Sequence, residues 1–448
     1  MLYRKAEKVI TEHFTGDSDK ILIVSGARQI GKSFIIRHVG EKLYRNFIEI
    51  NLVEDYEGSR LFESVRTTDD FYLALSSIAG QKMGSRDDTL VFLDEIQQYP
   101  HLFTLLKFLR EERRFRYVAS GSLLGISLRQ TTSLPIGSVR ILQMYPLDFE
   151  EFLIANDVGT AAIERIREAF GRKESLDEGM HTHIMNLFRR YLLVGGLPDA
   201  VNAYVDTHNI VKVRDVQRDV HNLYKLDASK YDEEHRLMIG RIYSLVPSNM
   251  ENKKKRIVFK DIEDKKGRRA DDYVDDIEYL ISSGICLEVK AVANPKFPLA
   301  ESERKNLLKL YLNDAGLLTG LLYHQNITAI LTDQGSVNLG SVYETVVATE
   351  LAAHGNRLFY YDNRKAGEVD YLVDDFTSLS VLPVEVKSGK DYTVHAALTR
   401  LTENADYHIS GGIVLSNSRE VISKGKVTYM PVYYVMFITP HTGGDVYF

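Results

Sequence analysis

The most constraining feature of the sequence is a glycine-rich loop between a predicted strand and a predicted helix. The loop reads Gly-Ala-Arg-Gln-Ile-Gly-Lys-Ser over residues 26–33. Residues 21–25 are apolar and mostly β-branched, which is typical of a buried parallel strand, and residues 34–43 have helical spacing. Backbone N–H groups of such a loop surround a phosphate, and the helix adds the positive end of its dipole. This order predicts an α/β fold with a parallel sheet.

The loop residues have distinct expected parts in binding a nucleotide. We expect the Lys32 ammonium to reach the β- and γ-phosphates and the Ser33 hydroxyl to bind Mg²⁺. The residues expected to contact the nucleotide are Gly26, Ala27, Arg28, Gln29, Ile30, Gly31, Lys32 and Ser33. By chance the pattern would arise roughly 0.02 times in a chain of this composition. The expected cofactors are therefore ATP and Mg²⁺.

A second segment, residues 90–95, is an apolar strand that ends in two carboxylates, Asp94 and Glu95. Asp94 is expected to hold the Mg²⁺ through water, and Glu95 to orient and deprotonate the attacking water. Two adjacent carboxylates at the end of a strand can also be solvated turn residues. Together with the phosphate loop, the catalytic interpretation is favoured.

A third strand is predicted at residues 116–119 and ends in Ser120-Gly121-Ser122. Ser120 and Ser122 are both candidates for sensing the γ-phosphate. A turn of small residues after a strand, without a role in binding, explains either serine equally well.

Because of these motifs, the chain resembles an AAA+ ATPase. More narrowly, it resembles a bacterial and archaeal group of ATPases with a nuclease-like C-terminal domain. The segments behind the resemblance are GARQIGKS at 26–33, LDEIQQYP at 93–100, SGSLLG at 120–125, YPLDFEEF at 145–152 and YLLVGGLPDAV at 191–201. The resemblance implies an ATPase core with a helical lid over residues 1–205.

The chain departs from that group at one place. The group often has Gly-Arg shortly before its Pro-Leu-x-Phe-Glu-Glu-Phe segment, and this chain has Gly137-Ser138. Arg140 and Arg28 are candidate substitutes for a catalytic arginine, and each is equally well explained as a surface cation. AAA+ proteins usually complete their site with an arginine of a neighbouring subunit, so the resemblance implies a homo-oligomer. The missing Gly-Arg leaves a monomer open.

The middle of the chain, residues 206–325, is predicted to be a helical, winged-helix-like domain. Residues 253–269 contain nine cations and three acids, a local charge of +6 in a chain of net charge −6. A helix, a turn, a helix and a strand follow one another here, as in a winged helix. The basic run is a candidate contact for DNA or RNA phosphates, and a solvated face is the alternative. The acidic residues of 270–276 argue against reading of bases.

The last part of the chain, residues 326–448, resembles the PD-(D/E)xK nuclease fold, an α/β fold of the restriction-endonuclease type. Asp370, Glu385 and Lys387 lie on predicted strands in the order D…E-x-K, and Glu344 lies on a helix before them. The resemblance implies that Glu344, Asp370 and Glu385 bind Mg²⁺ or Mn²⁺ and that Lys387 helps to activate water. Glu-x-Lys also occurs at 251, 263, 288 and 303, so the tripeptide alone indicates little.

Composition excludes several classes of protein. The net charge of −6 argues against a uniformly basic coat for nucleic acid. The single cysteine, Cys286, excludes an intramolecular disulfide framework and a multi-cysteine zinc site. The N-terminus has no apolar core of a signal peptide, and no apolar run approaches the ~20 residues that span a bilayer. We therefore expect a cytoplasmic protein without a membrane partner.

Two functional hypotheses follow. In the first, the nucleotide state of the ATPase controls a C-terminal nuclease that acts on DNA or RNA. In the second, the protein is an ATP-driven switch or scaffold that binds nucleic acid or protein partners without cleaving them.

Overall fold

A computed structural model describes most of the chain, in two compact units. The described residues are 1–122, 137–227, 233–252, 255–257, 261–263, 270–323, 327–332, 338–363, 365–389, 393 and 395–440. The first unit contains Met1–Tyr145 and Glu278–Ile285. The second unit contains Pro146–Ile277 and Cys286–Phe448.

The first unit is built on a parallel five-stranded sheet, as the sequence predicts. The strands are β1 (Ile21–Ser25), β2 (Asn46–Asn51), β3 (Thr89–Asp94), β4 (Arg116–Gly121) and β5 (Val139–Gln143), in the order β2-β3-β4-β1-β5. Every neighbouring pair runs parallel. All residues of β1 and β3 are buried, because both faces of the sheet are covered, which explains their continuous apolar runs.

Among the described residues before Tyr145, this unit has five α-helices. They are α1 (Lys5–Thr15), α2 (Lys32–Leu43), α3 (Leu52–Glu57), α4 (Thr68–Ala79) and α5 (His101–Glu112). The apolar faces of α4 and α5 pack with one face of the sheet in a core that includes Phe71, Leu106 and Val91. Since β1 leads into α2 and β3 ends at Asp94, the two predicted nucleotide-binding segments lie at the same edge of the sheet.

The second unit contains a mixed eight-stranded sheet. Its strands are β6 (Cys286–Val292), β7 (Glu303–Leu312), β8 (Phe359–Asn363), β9 (Gly367–Asp375), β10 (Ser380–Val386), β11 (Gly412–Ser416), β12 (Ile422–Lys424) and β13 (Val427–Pro431). They are ordered β12-β13-β11-β10-β9-β8-β6-β7. Strand β10 is antiparallel to β9 and parallel to β11.

The described α-helices of the second unit come before and between the strands of this sheet in the sequence. They are α6 (Phe149–Ala155), α7 (Thr160–Arg172), α8 (Glu178–Val194), α9 (Pro198–Thr207), α10 (Ile210–Asp227), α11 (Glu233–Glu251), α12 (Val274–Ser282), α13 (Ala315–Leu322), α14 (Ile327–Leu331), α15 (Gly340–Ala353) and α16 (Ala396–Glu403). The end of α12, from Glu278, belongs to the first unit.

The observed division of the chain differs from the expected one in two places. Residues 146–205, expected to form a lid on the first domain, belong to the second unit. Strands β6 and β7 precede the expected boundary at 325/326 and yet share a sheet with the C-terminal strands, because β6 pairs in parallel with β8. Hydrogen bonding between strands so distant in the chain leaves no local pattern in the sequence.

The predicted winged-helix segment is only partly described. Helices α11 and α12 and strand β6 occur in the expected order. Most of the basic run lies outside the described residues, namely Lys253, Lys254, Lys260, Lys265, Lys266, Arg268 and Arg269. The winged-helix character and the nucleic-acid contact of this run therefore stay predictions.

The segment YPLDFEEF has a structural role at the start of α6. The Asp148 carboxylate accepts a hydrogen bond from the Glu151 backbone N–H at 2.9 Å, and the Glu151 carboxylate accepts one from the Asp148 N–H at 3.2 Å. This reciprocal pair is a capping box, which satisfies two of the N–H groups that a helix leaves unpaired at its start.

The segment YLLVGGLPDAV includes a glycine that the packing requires. A Cβ at Gly196 would lie 2.0 Å from the carbonyl oxygen of Leu147. The Gly196 N–H donates to the Asp314 carboxylate at 2.6 Å, and the Leu317 N–H donates to it at 2.9 Å. Burial raises the pKa of Asp314 to about 6, although these N–H donors act in the opposite direction. The glycine thus permits a close backbone approach beside a buried acceptor.

We expect Gly196→Ala to destabilise the fold by about 3 kcal/mol, because the clash is with backbone that cannot rotate away. The matched control is Gly171→Ala in α7, where a Cβ would meet nothing within 4 Å. That change should be neutral or stabilise by up to about 1 kcal/mol, since alanine favours the helix. Denaturant unfolding of both variants checks this, and equal midpoints would contradict it.

Candidate functional site

The glycine-rich loop is held close to neighbouring backbone. Gly26 has a φ of +148°, and a Cβ there would lie 2.3 Å from the Met144 carbonyl oxygen. The Met144 N–H donates to the Ser25 carbonyl oxygen at 2.7 Å, which ties the end of β5 to the start of the loop. Only glycine fits at this first position of the motif.

Lys32 belongs to the loop motif, and its side chain folds back onto the first residues of the loop. Its ammonium donates to the carbonyl oxygens of Gly26 at 3.0 Å and of Ala27 at 2.7 Å, and the residue is 5% exposed. The ammonium is therefore held beside the start of the loop, and the motif predicts that it reaches a phosphate there.

Arg4 supports the loop from outside the motif. This buried guanidinium donates to the carbonyl oxygen of Ile30 at 2.9 Å and to that of Tyr145 at 2.6 Å. It joins the middle of the loop to the segment after β5. No motif in the sequence indicates a role for Arg4, because a single arginine before the first helix forms no recognisable pattern.

The Asp94 carboxylate connects the ends of three strands. Its Oδ1 atom accepts hydrogen bonds from the Ser33 hydroxyl at 3.0 Å, from the Glu95 N–H at 3.1 Å and from the Ser120 hydroxyl. Ser33 follows the loop after β1, Asp94 ends β3, and Ser120 lies near the end of β4. The structure thus brings together three residues that the sequence predicted separately.

Burial dominates the electrostatics of Asp94. Desolvation raises the pKa of this carboxyl, hydrogen bonds from Ser120 and Ser33 lower it, and the charge of Glu95 raises it again. A buried carboxylate beside a serine hydroxyl is a set of hard oxygen donors of the kind that Mg²⁺ prefers. The residues present therefore fit a magnesium ion.

Glu95 is held in an unusual backbone conformation next to the cluster. It has a φ of +56°, and its side chain accepts a hydrogen bond from the Gln97 amide. The same amide lies 3.5 Å from the Ser122 hydroxyl. Ser120 therefore contacts Asp94, whereas Ser122 reaches Glu95 through Gln97, a residue that the sequence analysis did not single out.

A distant turn packs against the loop. Gly284 follows α12, and a Cβ there would lie 2.9 Å from the Ala27 backbone nitrogen. Two residues later the chain enters β6. This contact joins residues more than half the chain apart, so no motif indicated it.

The structure does not identify either candidate arginine, Arg140 or Arg28, as a catalytic residue. Arg140 is the second residue of β5, exposed, and is paired with Leu22 at the start of β1. It therefore lies away from the end of the sheet where the loop and Asp94 meet. Arg28 is half-buried within the loop itself.

The four C-terminal candidates come from α15, β9 and β10. The Glu344 carboxylate accepts hydrogen bonds from the Tyr311 hydroxyl at 3.2 Å and from the Lys255 ammonium. The Asp370 carboxylate accepts one from the Val386 N–H at 2.9 Å.

Glu385 and Lys387 form an ion pair at the end of β10. The Lys387 ammonium lies 2.7 Å from Oε1 of Glu385. The other oxygen of Glu385, Oε2, is buried without a hydrogen-bond partner. An unsatisfied buried carboxylate oxygen is costly, which makes this atom a candidate ligand for a cation.

These carboxylates share one electrostatic environment. Burial raises the pKa of Glu344, and the charge of Asp370 adds to the rise while Lys255 and Lys309 oppose it. Burial likewise raises the pKa of Glu385 to about 8, with Asp370 adding and Lys387 opposing.

The carboxylates are close but are not arranged as a ready-made metal site. Within the part of the chain that the structure describes, no three His, Cys, Asp or Glu side chains are grouped so as to hold a metal ion. The physical reason lies in their partners, since Lys255 and Lys387 bind two of the carboxylates and a backbone N–H binds the third. The predicted cation site at Glu344, Asp370 and Glu385 therefore stays a prediction.

Comparison with known families assigns the first part of the chain. Residues 18–153 match the family described as an AAA domain. Two families described only as domains of unknown function match residues 185–328 (DUF8612) and 339–435 (DUF4143). The parallel sheet and the loop agree with the first match, so this region is similar to an AAA domain and has the α/β fold with a parallel five-stranded sheet that P-loop NTPases share. The nuclease-like character of the C-terminal part finds no support in these families.

Individual relatives are distant. An uncharacterized protein of Haemophilus influenzae is 28% identical over 149 residues, which is 32% of this chain and 35% of that protein. The chain thus spans about a third of the length of that relative. None of these similarities is close enough to transfer an activity.

Two solved structures are similar at low identity. A Walker-type ATPase of Pyrococcus abyssi is 14% identical with a TM-score of 0.45, covering 72% of this chain and 96% of that one. The Orc1 protein of Aeropyrum pernix in complex with DNA is 13% identical with a TM-score of 0.31, covering 75% of this chain and 93% of that one.

Among the residues that are described, no helix combines the length and the apolar character needed to cross a bilayer.

The raised pKa of Glu385 predicts a pH-dependent stability. From its usual value near 4.5 up to about 8, the folded state keeps a proton that the unfolded state loses, so stability falls as pH rises through this window. Glu385→Gln removes this penalty. At pH 8.5 it should melt about 4 °C or more above wild type, and near pH 4.5 the two should coincide.

The control is Glu403→Gln at an exposed position of α16, which should follow wild type at both pH values. A Glu385→Gln variant that melts below wild type at pH 8.5 would contradict the assignment.

Proposed function

We propose that the protein binds and hydrolyses ATP with Mg²⁺ at the glycine-rich loop, and that its nucleotide state controls the C-terminal carboxylate cluster. The observation that carries the ATPase proposal is the meeting of Ser33, Asp94 and Ser120 beside the loop. Hydroxyl and carboxylate oxygens at the carboxyl end of a parallel sheet suit a nucleoside triphosphate with its metal ion.

The residues of the loop have separate tasks in this mechanism. Lys32 would exchange its bonds to the loop carbonyls for bonds to phosphate oxygens, which carry more negative charge. Ser33 and Asp94 would hold the Mg²⁺, which neutralises charge on the phosphates when it is bound. Arg4 positions the loop by holding the carbonyl of Ile30.

Glu95 is proposed as the general base. Its backbone has a φ of +56°, and the Gln97 amide donates a hydrogen bond to one of its carboxylate oxygens. The second oxygen is then available to accept a proton from the attacking water. Ser120 keeps Asp94 in place and is proposed as the nearer of the two serines to the γ-phosphate.

At the C-terminal end we propose a nuclease-like site acting on DNA or RNA. Glu344, Asp370 and Glu385 would bind Mg²⁺ or Mn²⁺, and Lys387 would help to activate water. The buried, unpartnered Oε2 atom of Glu385 supports this proposal. So does the convergence of three acids on neighbouring elements of one fold.

One observation favours the alternative, an ATP-driven switch or scaffold that binds nucleic acid or protein partners without cleavage. The acids of the cluster are already bonded to Lys255, Lys387 and backbone. Such a network also serves as a purely structural element of the second unit. Metal-dependent cleavage separates the two functions.

The remaining parts of the proposal concern partners and location. We propose a cytoplasmic protein whose basic run at 253–269 contacts nucleic acid, and homo-oligomers in which a neighbouring arginine completes the ATP site. The cations of that run are mostly outside the described residues, so this part rests on charge pattern alone.

Substitutions in the first site should separate binding from hydrolysis. Lys32→Ala should weaken ATP binding roughly 30-fold or more, because it removes a charge-assisted contact to phosphate. Glu95→Gln should bind ATP normally and hydrolyse it about 10²–10⁴ times more slowly, since only proton transfer is lost. Fluorescent-nucleotide titration and phosphate release measure these effects.

Lys42→Ala, an exposed lysine at the end of α2, is the control and should match wild type in both assays. Normal turnover in Glu95→Gln would show that another residue is the base.

Cleavage is tested with DNA and RNA substrates, Mn²⁺, and either ATP or no nucleotide. The nuclease proposal expects cutting by wild type that depends on nucleotide and is lost in Asp370→Ala. Asp406→Ala, an exposed carboxylate near α16, should retain it. Absence of cutting by wild type, or equal cutting by Asp370→Ala, would favour the switch or scaffold.

A further inference from the structure

We propose that Lys255 is the internal occupant of the C-terminal carboxylate cluster and that a divalent cation binds there only when Lys255 leaves. The inference rests on the proposed metal-binding function of Glu344, Asp370 and Glu385. It adds a competitor for that site, carried by the chain itself.

The first observation is the contact between Lys255 and Glu344. The Lys255 ammonium is bonded to Oε1 of Glu344, whose side chain is 4% exposed. The other oxygen of Glu344 accepts a hydrogen bond from the Tyr311 hydroxyl. Both oxygens are therefore engaged, and a cation needs the one that Lys255 holds.

The second observation is the position of Lys255 relative to the other acids. Asp370 and Glu368 both act electrostatically on Lys255, in addition to Glu344. The ammonium thus lies within the field of the cluster and does not form an isolated surface pair. A monovalent cation at this position offsets the same negative charge that a divalent cation would offset.

The net charge of the cluster indicates that Lys255 and a divalent cation exclude each other. Cation binding requires deprotonated ligands, so Glu344, Asp370 and Glu385 then carry three negative charges, and Lys387 supplies one positive charge. The remaining two negative charges match the charge of one divalent cation. With Lys255 present, only one negative charge remains. Lys309 pairs with Glu368, so these two opposite charges leave the sum unchanged although both act on the cluster.

The residues after Lys255 hold it in place. Arg256 forms an ion pair with Asp362 on β8 and lies 5.7 Å from the centre of the Tyr360 ring. Ile257 is buried, at 8% exposure. Residues 255–257, which we call the Lys255 segment, are thus tied down by two ion pairs and by the burial of Ile257.

Linkage follows from this arrangement. If the cation and the Lys255 segment exclude each other, whatever withdraws the segment raises cation affinity, and cation binding favours release of the segment to the same extent. The basic stretch that contains Lys255 would then report the metal state of the cluster.

The test measures Mn²⁺ binding to the full chain without nucleotide, by calorimetry or by electron paramagnetic resonance of free Mn²⁺. Lys255→Met should bind Mn²⁺ at least about tenfold more tightly than wild type, because it removes the competitor and keeps an apolar stem of similar size. Lys296→Met, at an exposed lysine before the Leu299 turn, should match wild type. Adding Asp370→Ala to Lys255→Met should abolish the gain.

The outcomes separate this inference from the proposed function. If wild type and Lys255→Met bind Mn²⁺ equally and Asp370→Ala removes the binding, the metal site stands and the competition is wrong. If neither protein binds Mn²⁺ in an Asp370-dependent way, both are wrong. Tighter binding in Lys255→Met that requires Asp370 supports both.

A measurement on wild type keeps the inference testable if Lys255→Met does not fold. Lysine acylation is followed by peptide mass spectrometry with and without Mn²⁺. Lys255 should be acylated several-fold faster with Mn²⁺, and Lys296 at an unchanged rate. An unchanged rate at Lys255 under saturating Mn²⁺ would overturn the proposal.

Discussion

The Asp94 carboxylate is the contact on which the arrangement of the first unit depends. It is buried at the end of β3, and hydroxyl groups from the loop and from β4 donate to it. Without those donors a buried carboxylate would be expensive, and without the carboxylate the two serines would lose their acceptor. One buried acid therefore sets the relative position of the glycine-rich loop, the candidate base Glu95 and the candidate sensor Ser120.

Around this acid, the loop is fixed mainly through backbone atoms. Arg4 binds the Ile30 carbonyl, Lys32 binds the carbonyls at the start of the loop, and Gly26 allows Met144 to approach closely. A phosphate loop must present its N–H groups inward, so its carbonyl groups need partners elsewhere. The described contacts of Arg4 and Lys32 supply some of those partners and leave the N–H side of the loop for a ligand.

The second unit handles buried charge in a different way. Its acids are compensated by lysines and backbone N–H groups of the same unit, as at Glu344, Glu385 and Asp314. In the proposed nucleotide site the acid Asp94 accepts hydrogen bonds from neutral hydroxyl groups, which would leave its charge for a metal ion. In the C-terminal cluster the compensation is already ionic, so any metal ion must displace it.

Much of the candidate site was predictable from the sequence because its residues lie in short contiguous motifs. The loop at 26–33, the Asp94-Glu95 pair and the Ser120–Ser122 turn each follow a recognisable strand, and parallel strands bring their carboxyl ends to one edge. The order of acids at 344, 370 and 385 was likewise visible along the chain. Arg4, Gln97 and Gly284 were not, because their roles consist of contacts with single atoms of distant segments.

The sequence by itself determined the parallel sheet, the phosphate loop and the identity of the acids, since these depend on local patterns of apolar, glycine and charged residues. Only the tertiary structure decided that β6 and β7 join the C-terminal sheet, that a turn at Gly284 packs on the loop, and that Lys255 binds Glu344. The physical reason is that strand pairing and burial of charge are settled between segments far apart in the chain. Their free energies depend on which partners meet, and no local pattern encodes that choice.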